Sequence, residues 1–293
     1  MMNSGLTIVL LLSTFGLSAF SHSYSKCCPQ SFFCELRNKL KAANQLCPQN
    51  KTTYVHLSHI GEKNCKSLTE ELHNKQDVYR SLCGKCFTTM IFSEKNTVDY
   101  ARSDGAPEMN KFTMCLWVKT KQDPTNAHYI SYALEDADNQ ILLYVSPESK
   151  LALCIEHDSK KRTCSSGDKI AINDGNWNHI CVTWQSSDGG YSFHKNGAIV
   201  ARGTLSKWAE MPAIPGDGTW VFRQDQDKVG GKFDADQSAT GEFTEVNIWN
   251  ETLRQPKIMD MSKSFKPLKT DGNVKSWADF ICGARGNVIF GND

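Results

Sequence analysis

Two short runs of apolar and aromatic residues, each with one cysteine inside it, constrain the fold of this chain more than any other feature. The first run is FTMCLW at residues 112–117, and the second is HICVTW at residues 179–184. Side chains of this kind at this density favour β-strands that are largely buried. The two runs therefore predict that the second part of the chain folds around a β-sheet.

From residue 87 onward, similar apolar runs alternate with turn-forming residues. The runs cover residues 88–92, 112–118, 141–145, 151–155, 180–184, 198–201 and 243–249. Clusters rich in Gly, Asn, Asp and Ser separate them at residues 103–105, 173–175, 187–190, 196–197 and 215–218. Many short strands with such turns are typical of an antiparallel β-sandwich or jelly roll. One short helix is predicted near residues 253–262.

The N-terminus has the features of a secretory signal peptide. Residues 6–17 are almost wholly apolar but too short to span a bilayer comfortably, and Ala19 and Ser21 suit cleavage before His22. A membrane anchor is the alternative interpretation. All 12 cysteines follow the proposed cleavage point, and an even count behind a signal peptide indicates disulfides. We therefore predict a secreted, extracellular protein.

Cysteine density divides the remaining chain near Cys86. Seven of the 12 cysteines lie at or before this residue, although the sequence after it is much longer. The predicted organisation is a signal peptide at 1–21, a cysteine-rich module at 22–86 and a β-domain at 87–293. The module is too small to bury a large core, so disulfides are expected to stabilise it. Apolar residues at helical spacing predict two short helices in it, as core faces or as an oligomerising surface.

The charge balance and local motifs limit the classes of partner. The chain has 33 Lys and Arg against 32 Asp and Glu, which does not favour nucleic acid or an anionic membrane surface as a partner. No stretch after the signal peptide is long and apolar enough to predict a transmembrane segment. Asn-x-Thr sequons at Asn50 and Asn250 predict a glycoprotein.

The run His-x-Cys-x-Thr-Trp at residues 179–184 resembles the signature of the pentraxins, secreted calcium-dependent pattern-recognition proteins. The resemblance extends from about Cys86 to Asp293. It implies an all-β, antiparallel jelly-roll or lectin-like β-sandwich with one short helix, here preceded by a small disulfide-rich, α-helical module. It also implies that Cys181 is bonded to Cys115.

Two further disulfides are predicted in or near this domain. Cys154 and Cys164 flank a turn-rich segment and could join the strands of a hairpin. By analogy with long pentraxins, Cys282 is expected to pair with Cys86, and Cys83 is the substitute. The remaining N-terminal cysteines could form three bonds in fifteen ways or link separate chains.

Two acidic segments, residues 136–142 and 224–238, resemble the two halves of the pentraxin calcium site. Position by position, the residues that match the ligands are Asp138, Asn139, Asp225, Gln226, Asp227, Asp234 and Gln237. Calcium takes six to eight oxygen ligands from carboxylates, amides and backbone carbonyls. The four carboxylates would carry a charge that two Ca²⁺ ions cancel, so two ions per domain are expected. Asp225 and Asp234 stand where pentraxins often have Glu, and a solvated acidic loop is the alternative.

The resemblance implies a lectin-like binding protein that engages phosphate-, carboxylate- or carbohydrate-bearing ligands through bound calcium. Tyr144 would contact a choline-type headgroup by cation–π attraction, and the family's rings of five imply a homo-oligomer. Two alternatives come from other classes. The domain could be a protein-interaction module of a structural extracellular-matrix or adhesion protein. Asp225-x-Asp227 also imitates a glycosidase pair, but Gly230 stands where a further acid would be needed, so an enzyme is not expected.

Overall fold

The computed structural model describes residues 89–121, 126–148, 150–157, 161–165, 168–205, 212–263 and 271–291. All of them lie in the second of the two units into which the chain divides, Phe87–Asp293. The predicted signal peptide at 1–21, the cysteine-rich module at 22–86 and the sequon at Asn50 lie outside the described residues. They stay predictions.

Within the described residues the chain forms fifteen β-strands. They are β1 Thr89–Phe92, β2 Tyr100–Asp104, β3 Lys111–Lys119, β4 Ala127–Leu134, β5 Ala137–Val145, β6 Lys150–His157, β7 Lys161–Cys164, β8 Asp168–Lys169, β9 Trp177–Gln185, β10 Gly190–Lys195, β11 Ala198–Thr204, β12 Thr219–Phe222, β13 Gly241–Trp249, β14 Ala284–Arg285 and β15 Ile289–Gly291. One sheet has the order β11-β10-β9-β3-β13-β1-β15. The other has the order β14-β2-β12-β4-β5-β6-β7, and β8 pairs with β6.

The two sheets pack face to face through aromatic side chains. Phe92 of β1 and Phe243 of β13 belong to the first sheet, and Phe222 of β12 belongs to the second. Their ring centroids are 5.3 to 6.0 Å apart, and all three side chains are buried. Inward-facing side chains of two layers form the core of a β-sandwich. The prediction of an antiparallel, lectin-like β-sandwich is confirmed.

The two cysteine-bearing runs form the central strands β3 and β9 of the first sheet. Strands β3 and β9 are antiparallel neighbours, and Cys115 lies directly opposite Cys181. The two residues form a disulfide with a Cα–Cα distance of 4.1 Å. The helix α1, Gln255–Met261, lies over this bond, where Ile258 and Met261 join the two cysteines in one buried cluster. This helix matches the one predicted near residues 253–262.

A second short helix, α2 at Trp277–Cys282, was not predicted from the sequence. Its N-terminus is a capping box in which Ser276 and Asp279 bond each other's backbone N–H groups, so the spacing Ser-x-x-Asp was the available signal. Cys282 at its end is disulfide-bonded. Because Cys86 lies outside the described residues, the pairing of Cys86 with Cys282 stays a prediction.

A turn sequence and a disulfide define the two hairpins at the sheet edges. Between β10 and β11, Asn196 and Gly197 both have positive φ, at 50° and 82°, which is the backbone that a two-residue Asn-Gly turn requires. In the other sheet, a disulfide joins Cys154 of β6 to Cys164 of β7. No helix among the described residues combines the length and apolar character needed to cross a bilayer.

Candidate calcium-binding site

The loop that follows β12 folds back across the second sheet toward the start of β5. The side chain of Gln226 fixes this path, because its Nε2 donates to the carbonyl oxygens of Ser131 and Thr219 at 3.1 Å each. The result is a cleft of about 820 Å³ whose walls include Asp138 from β5 and Asp227 from the loop. Two segments that are far apart in sequence therefore meet in one site.

Three of the predicted ligand residues have a buried side-chain oxygen without a hydrogen-bond partner. These oxygens are Oδ1 of Asn139, Oδ1 of Asp225 and Oε1 of Gln237. Burying a polar oxygen without a partner is costly, and folded proteins rarely leave one so. A hard cation that prefers carboxylate and amide oxygens would supply the missing partner for all three. The residues present therefore fit a calcium ion.

The four predicted carboxylates also act on one another electrostatically. The pKa of Asp227 is raised above its usual value, first by burial and then by the negative charges of Asp225, Asp138 and Asp234. Like charges that are close together disfavour ionisation in this way. The cluster is therefore the kind of site in which binding a divalent cation and losing protons are coupled.

The side chains of two further predicted ligands, Asp234 and Gln226, accept hydrogen bonds from the backbone of the loop. Asp234 accepts a hydrogen bond from the N–H of Asp236 at 2.9 Å and caps the 3-10 turn Ala235–Gln237. Oε1 of Gln226 accepts from the N–H of Gly230 at 2.8 Å, so one of the two acceptor positions of this amide oxygen is used within the loop. Gly230 has φ 66°, a left-handed conformation that glycine adopts readily.

The acidic residues of the cleft do not form a tight group of three ligand atoms. Among the described residues, one group of three His, Cys, Asp or Glu ligand atoms lies within 4.8 Å, and it consists of Cys115, His179 and Cys181. Its two cysteines are bonded to each other, so it is not a metal site.

Sequence comparison decides the family. The model of the Pentaxin family matches residues 85–291 of the chain. The chain belongs to the pentraxin family. Human neuronal pentraxin-2 is 34% identical over 179 residues, which cover 59% of this chain and 38% of that protein. C-reactive protein 1.1 of Limulus polyphemus is 32% identical over 173 residues, which cover 58% of this chain and 70% of that protein.

A solved pentraxin structure has the same fold. The native heptameric SAP-like pentraxin of Limulus polyphemus aligns with a TM-score of 0.54 at 24% identity, covering 71% of this chain and 94% of that one. The chain spans 38% of the length of human neuronal pentraxin-2. The similarity therefore concerns the pentraxin domain, and the predicted membership of the pentraxin family is confirmed.

Tyr144 does not line the cleft of this pentraxin domain. Its ring packs against His128 with centroids 4.9 Å apart. His128 in turn places Nδ1 3.2 Å from Oδ2 of Asp225, with both side chains 5% exposed, although the geometry does not make a hydrogen bond. His128 was not predicted as a site residue from the sequence, because it belongs to no recognisable motif. The structure thus connects Tyr144 to Asp225 through a buried histidine, and contact of Tyr144 with a choline-type headgroup stays a prediction.

The far wall of the cleft comes from the disulfide-linked hairpin of β6 and β7. Glu156 and Arg162 are directly opposed across these strands, and both line the cleft with Lys228 and Lys232 of the loop. This wall of the cleft thus carries both signs of charge.

Asn250, the second predicted glycosylation residue, lies outside the cleft. It is exposed after β13, and its Oδ1 accepts a hydrogen bond from Nδ2 of Asn273 at 2.7 Å. Its glycosylation stays a prediction.

Proposed function

We propose that this protein is a secreted, calcium-dependent binding protein that recognises phosphate-, carboxylate- or carbohydrate-bearing ligands. One observation carries the proposal. The buried, unpartnered oxygens of Asn139, Asp225 and Gln237 belong to two segments that converge on one cleft. A protein that folds such oxygens together without a partner is suited to hold a cation there.

The candidate ligands would contact different sides of an ion according to their exposure. Asn139 and Asp225 are buried, so they would fix the inner side of an ion. Asp227 is exposed and would hold the ion at the cleft surface. Bound calcium would supply open coordination positions for ligand oxygens. With four carboxylates available, we propose two ions per domain, since two divalent charges balance four negative ones.

The mixed charges of the cleft wall favour ligands that carry more than one polar group. Arg162 and Lys228 can donate to a second anionic oxygen or a hydroxyl, and Glu156 can accept from a hydroxyl or ammonium group. Recognition rather than catalysis is the proposed role. The loop has Gly230 where a glycosidase arrangement after Asp225 and Asp227 would want another carboxylate.

We further propose that the protein works as a homo-oligomer. The SAP-like pentraxin from Limulus is heptameric, and rings of several copies strengthen weak single-site binding through avidity. Light scattering of the purified protein at micromolar concentration should give a mass of several chains. A single-chain mass would remove the oligomer from the proposal without affecting the calcium site.

Capture on immobilised ligands tests the proposed function. Resins that carry phosphate esters, carboxylates or sugars are each incubated with the protein in calcium and in EDTA. Retention that requires calcium and is lost in Asp227→Asn, with the fold intact by circular dichroism, supports recognition through the ion. If calcium stabilises the fold but no resin retains the protein, the calcium is structural. The domain is then better described as the protein-interaction module of a matrix or adhesion protein.

A further inference from the structure

We propose that Arg223 is a positioning residue that holds the calcium-binding loop in its closed form before calcium binds. Arg223 is the residue immediately after β12, where the loop begins. Its side chain is fully buried, at 0% exposure. Arginine is among the residues least often buried, so a buried guanidinium needs a complete set of acceptors.

The acceptors of Arg223 lie in two segments of the chain. Its Nε donates to the carbonyl oxygen of Ala239, where the loop ends, at 2.7 Å. Its Nη1 donates to the carbonyl of Asp99 at 2.5 Å and to Oδ1 of Asn96 at 3.1 Å, and its Nη2 donates to the carbonyl of Glu94. One planar side chain thus ties the end of the loop to the turn between β1 and β2, residues 94–99.

The backbone of Arg223 closes the same loop. The N–H of Ala239 donates to the carbonyl of Arg223 at 3.2 Å, and the N–H of Arg223 donates to the carbonyl of Tyr129 at 2.8 Å. The first and last residues of the loop are therefore joined by backbone and side-chain bonds together. The guanidinium also lies 4.7 Å from the ring centre of Phe92, which fixes its plane against the core.

The turn at residues 94–99 contacts the loop at two more points. Nε2 of Gln224 donates to the carbonyl of Asn96 at 2.6 Å, and Nζ of Lys95 donates to the carbonyl of Asp236 at 2.7 Å. Asp236 lies between two of the predicted calcium ligands, Asp234 and Gln237. The turn therefore supports both arms of the loop, and Arg223 is its strongest connection.

The backbone of Arg223 has a conformation that its surroundings must hold in place. Its φ is 81°, in the left-handed region that bulky residues rarely occupy. Such a conformation persists only when the surroundings determine it, and it occurs often at ligand-binding sites. Glycine would take this φ without strain. The Arg223→Gly variant therefore removes the side-chain bonds and keeps a compatible backbone.

Limited proteolysis in EDTA tests the role without any calcium. Lys228 and Lys232 are exposed loop residues, so trypsin cleaves after them at a rate that follows the open population of the loop. For the full-length Arg223→Gly protein we expect this cleavage to be at least about tenfold faster than in wild type. Cleavage elsewhere in the domain should keep its wild-type rate, which separates loop opening from general unfolding. Arg254→Gln, which removes an exposed guanidinium, is the matched control.

Two more variants test which property of the Arg223 side chain holds the loop. Arg223→Lys keeps the charge but cannot bridge the two segments with a planar fork, so fast loop cleavage is expected there too. Wild-type cleavage in Arg223→Lys would show that charge alone suffices and would overturn the proposal, as would wild-type cleavage in Arg223→Gly. If Arg223→Gly does not fold, Lys95→Met decides. It should accelerate loop cleavage to a smaller degree, and no acceleration would overturn the proposal.

Calcium titration of the same folded variants gives the second readout, which rests on the proposed function. Substituting residues that orient metal ligands without binding the metal typically lowers metal affinity about 10- to 100-fold. Arg223→Gly should therefore raise the calcium Kd by at least about tenfold. Unchanged affinity would overturn the positioning role. If wild-type protein itself does not bind calcium, the proposed function fails, and the tryptic rates in EDTA still decide whether Arg223 closes the loop.

Discussion

The substitution Asp227→Asn should weaken calcium binding without damaging the fold. Asp227 is largely exposed at the cleft, and its pKa is raised first by partial loss of solvent around the carboxylate and then by the neighbouring carboxylates of the cluster. In the calcium-free protein, therefore, replacing the carboxylate by an amide removes repulsion and should leave the domain as stable as wild type or slightly more so. Its cost should show only when calcium is present.

The size of the cost follows from the position of the carboxylate. At a calcium–oxygen distance of roughly 2.4 Å, a unit charge and a divalent ion interact by about 3.5 kcal/mol in the dielectric of water. The water value applies because Asp227 is exposed. The amide retains a weaker dipole, so we expect a loss of about 2.7 kcal/mol, or roughly a hundredfold in Kd.

Calorimetric titration with calcium measures this loss, and thermal unfolding checks it independently. At a calcium concentration of about 100 Kd, binding stabilises wild type by about 2.7 kcal/mol, and a hundredfold weaker variant by about 0.4 kcal/mol. For a domain of roughly 200 residues, the calcium-induced rise in Tm should fall from about 5–10 °C to about 1–2 °C.

Asp236→Asn is the matched control, because Asp236 lies in the same loop and is exposed but is not among the predicted ligands. It makes the same change in charge and should keep its calcium affinity within about threefold, since an exposed charge acts weakly through water. Equal weakening by both substitutions would show that only the net charge of the loop matters. Unchanged affinity in Asp227→Asn would refute the assignment of this residue as a ligand.

Three further outcomes follow from the structure. Because protons compete with calcium for the carboxylate cluster, the calcium-induced rise in Tm should shrink between pH 7 and pH 4; a constant rise would contradict this. Cys164 is exposed whereas Cys115 and Cys181 are buried. Dithiothreitol should therefore reduce the Cys154–Cys164 bond first, as mass spectrometry after alkylation would show, and losing the Cys115–Cys181 bond should cost about 4 kcal/mol of stability. Burial lowers the pKa of His179 to about 4, so its share of stability, roughly 3 kcal/mol, is complete above pH 6.5 and falls as the pH drops toward 4. Urea unfolding of His179→Phe should lack that part of the acid-linked loss, and an unaltered pH profile would contradict it.

Most of the strands predicted from the sequence have side chains that are buried on both faces, and the mostly exposed β11 is an exception. The run within β9 is buried along nearly its whole length, so it reads as a continuous apolar segment. Strand β2 was missed because its sequence, YARSD, is mostly polar and only partly buried. Strand β4 was missed although it is buried, because His128 and Ser131 interrupt its apolar pattern. Burial of those polar groups depends on the loop that covers them.

The candidate ligands were predictable because their spacing in two acidic segments resembles a known family pattern. The convergence of Asp138 with Asp227 required the fold, since the loop after β12 crosses β4 to reach it. Arg223 was not predictable at all. Three of its four acceptors are backbone carbonyls, two of them in the turn at residues 94–99, and any residue type supplies a carbonyl, so the sequence does not mark them.

A crystal structure grown in calcium, with anomalous differences measured at long wavelength, tests the central claim most directly. We expect an anomalous peak in the cleft, with oxygens of both Asp138 and Asp227 within roughly 2.6 Å of a metal ion. An ion bound without Asp138, or a cleft with no ion at saturating calcium, would contradict it.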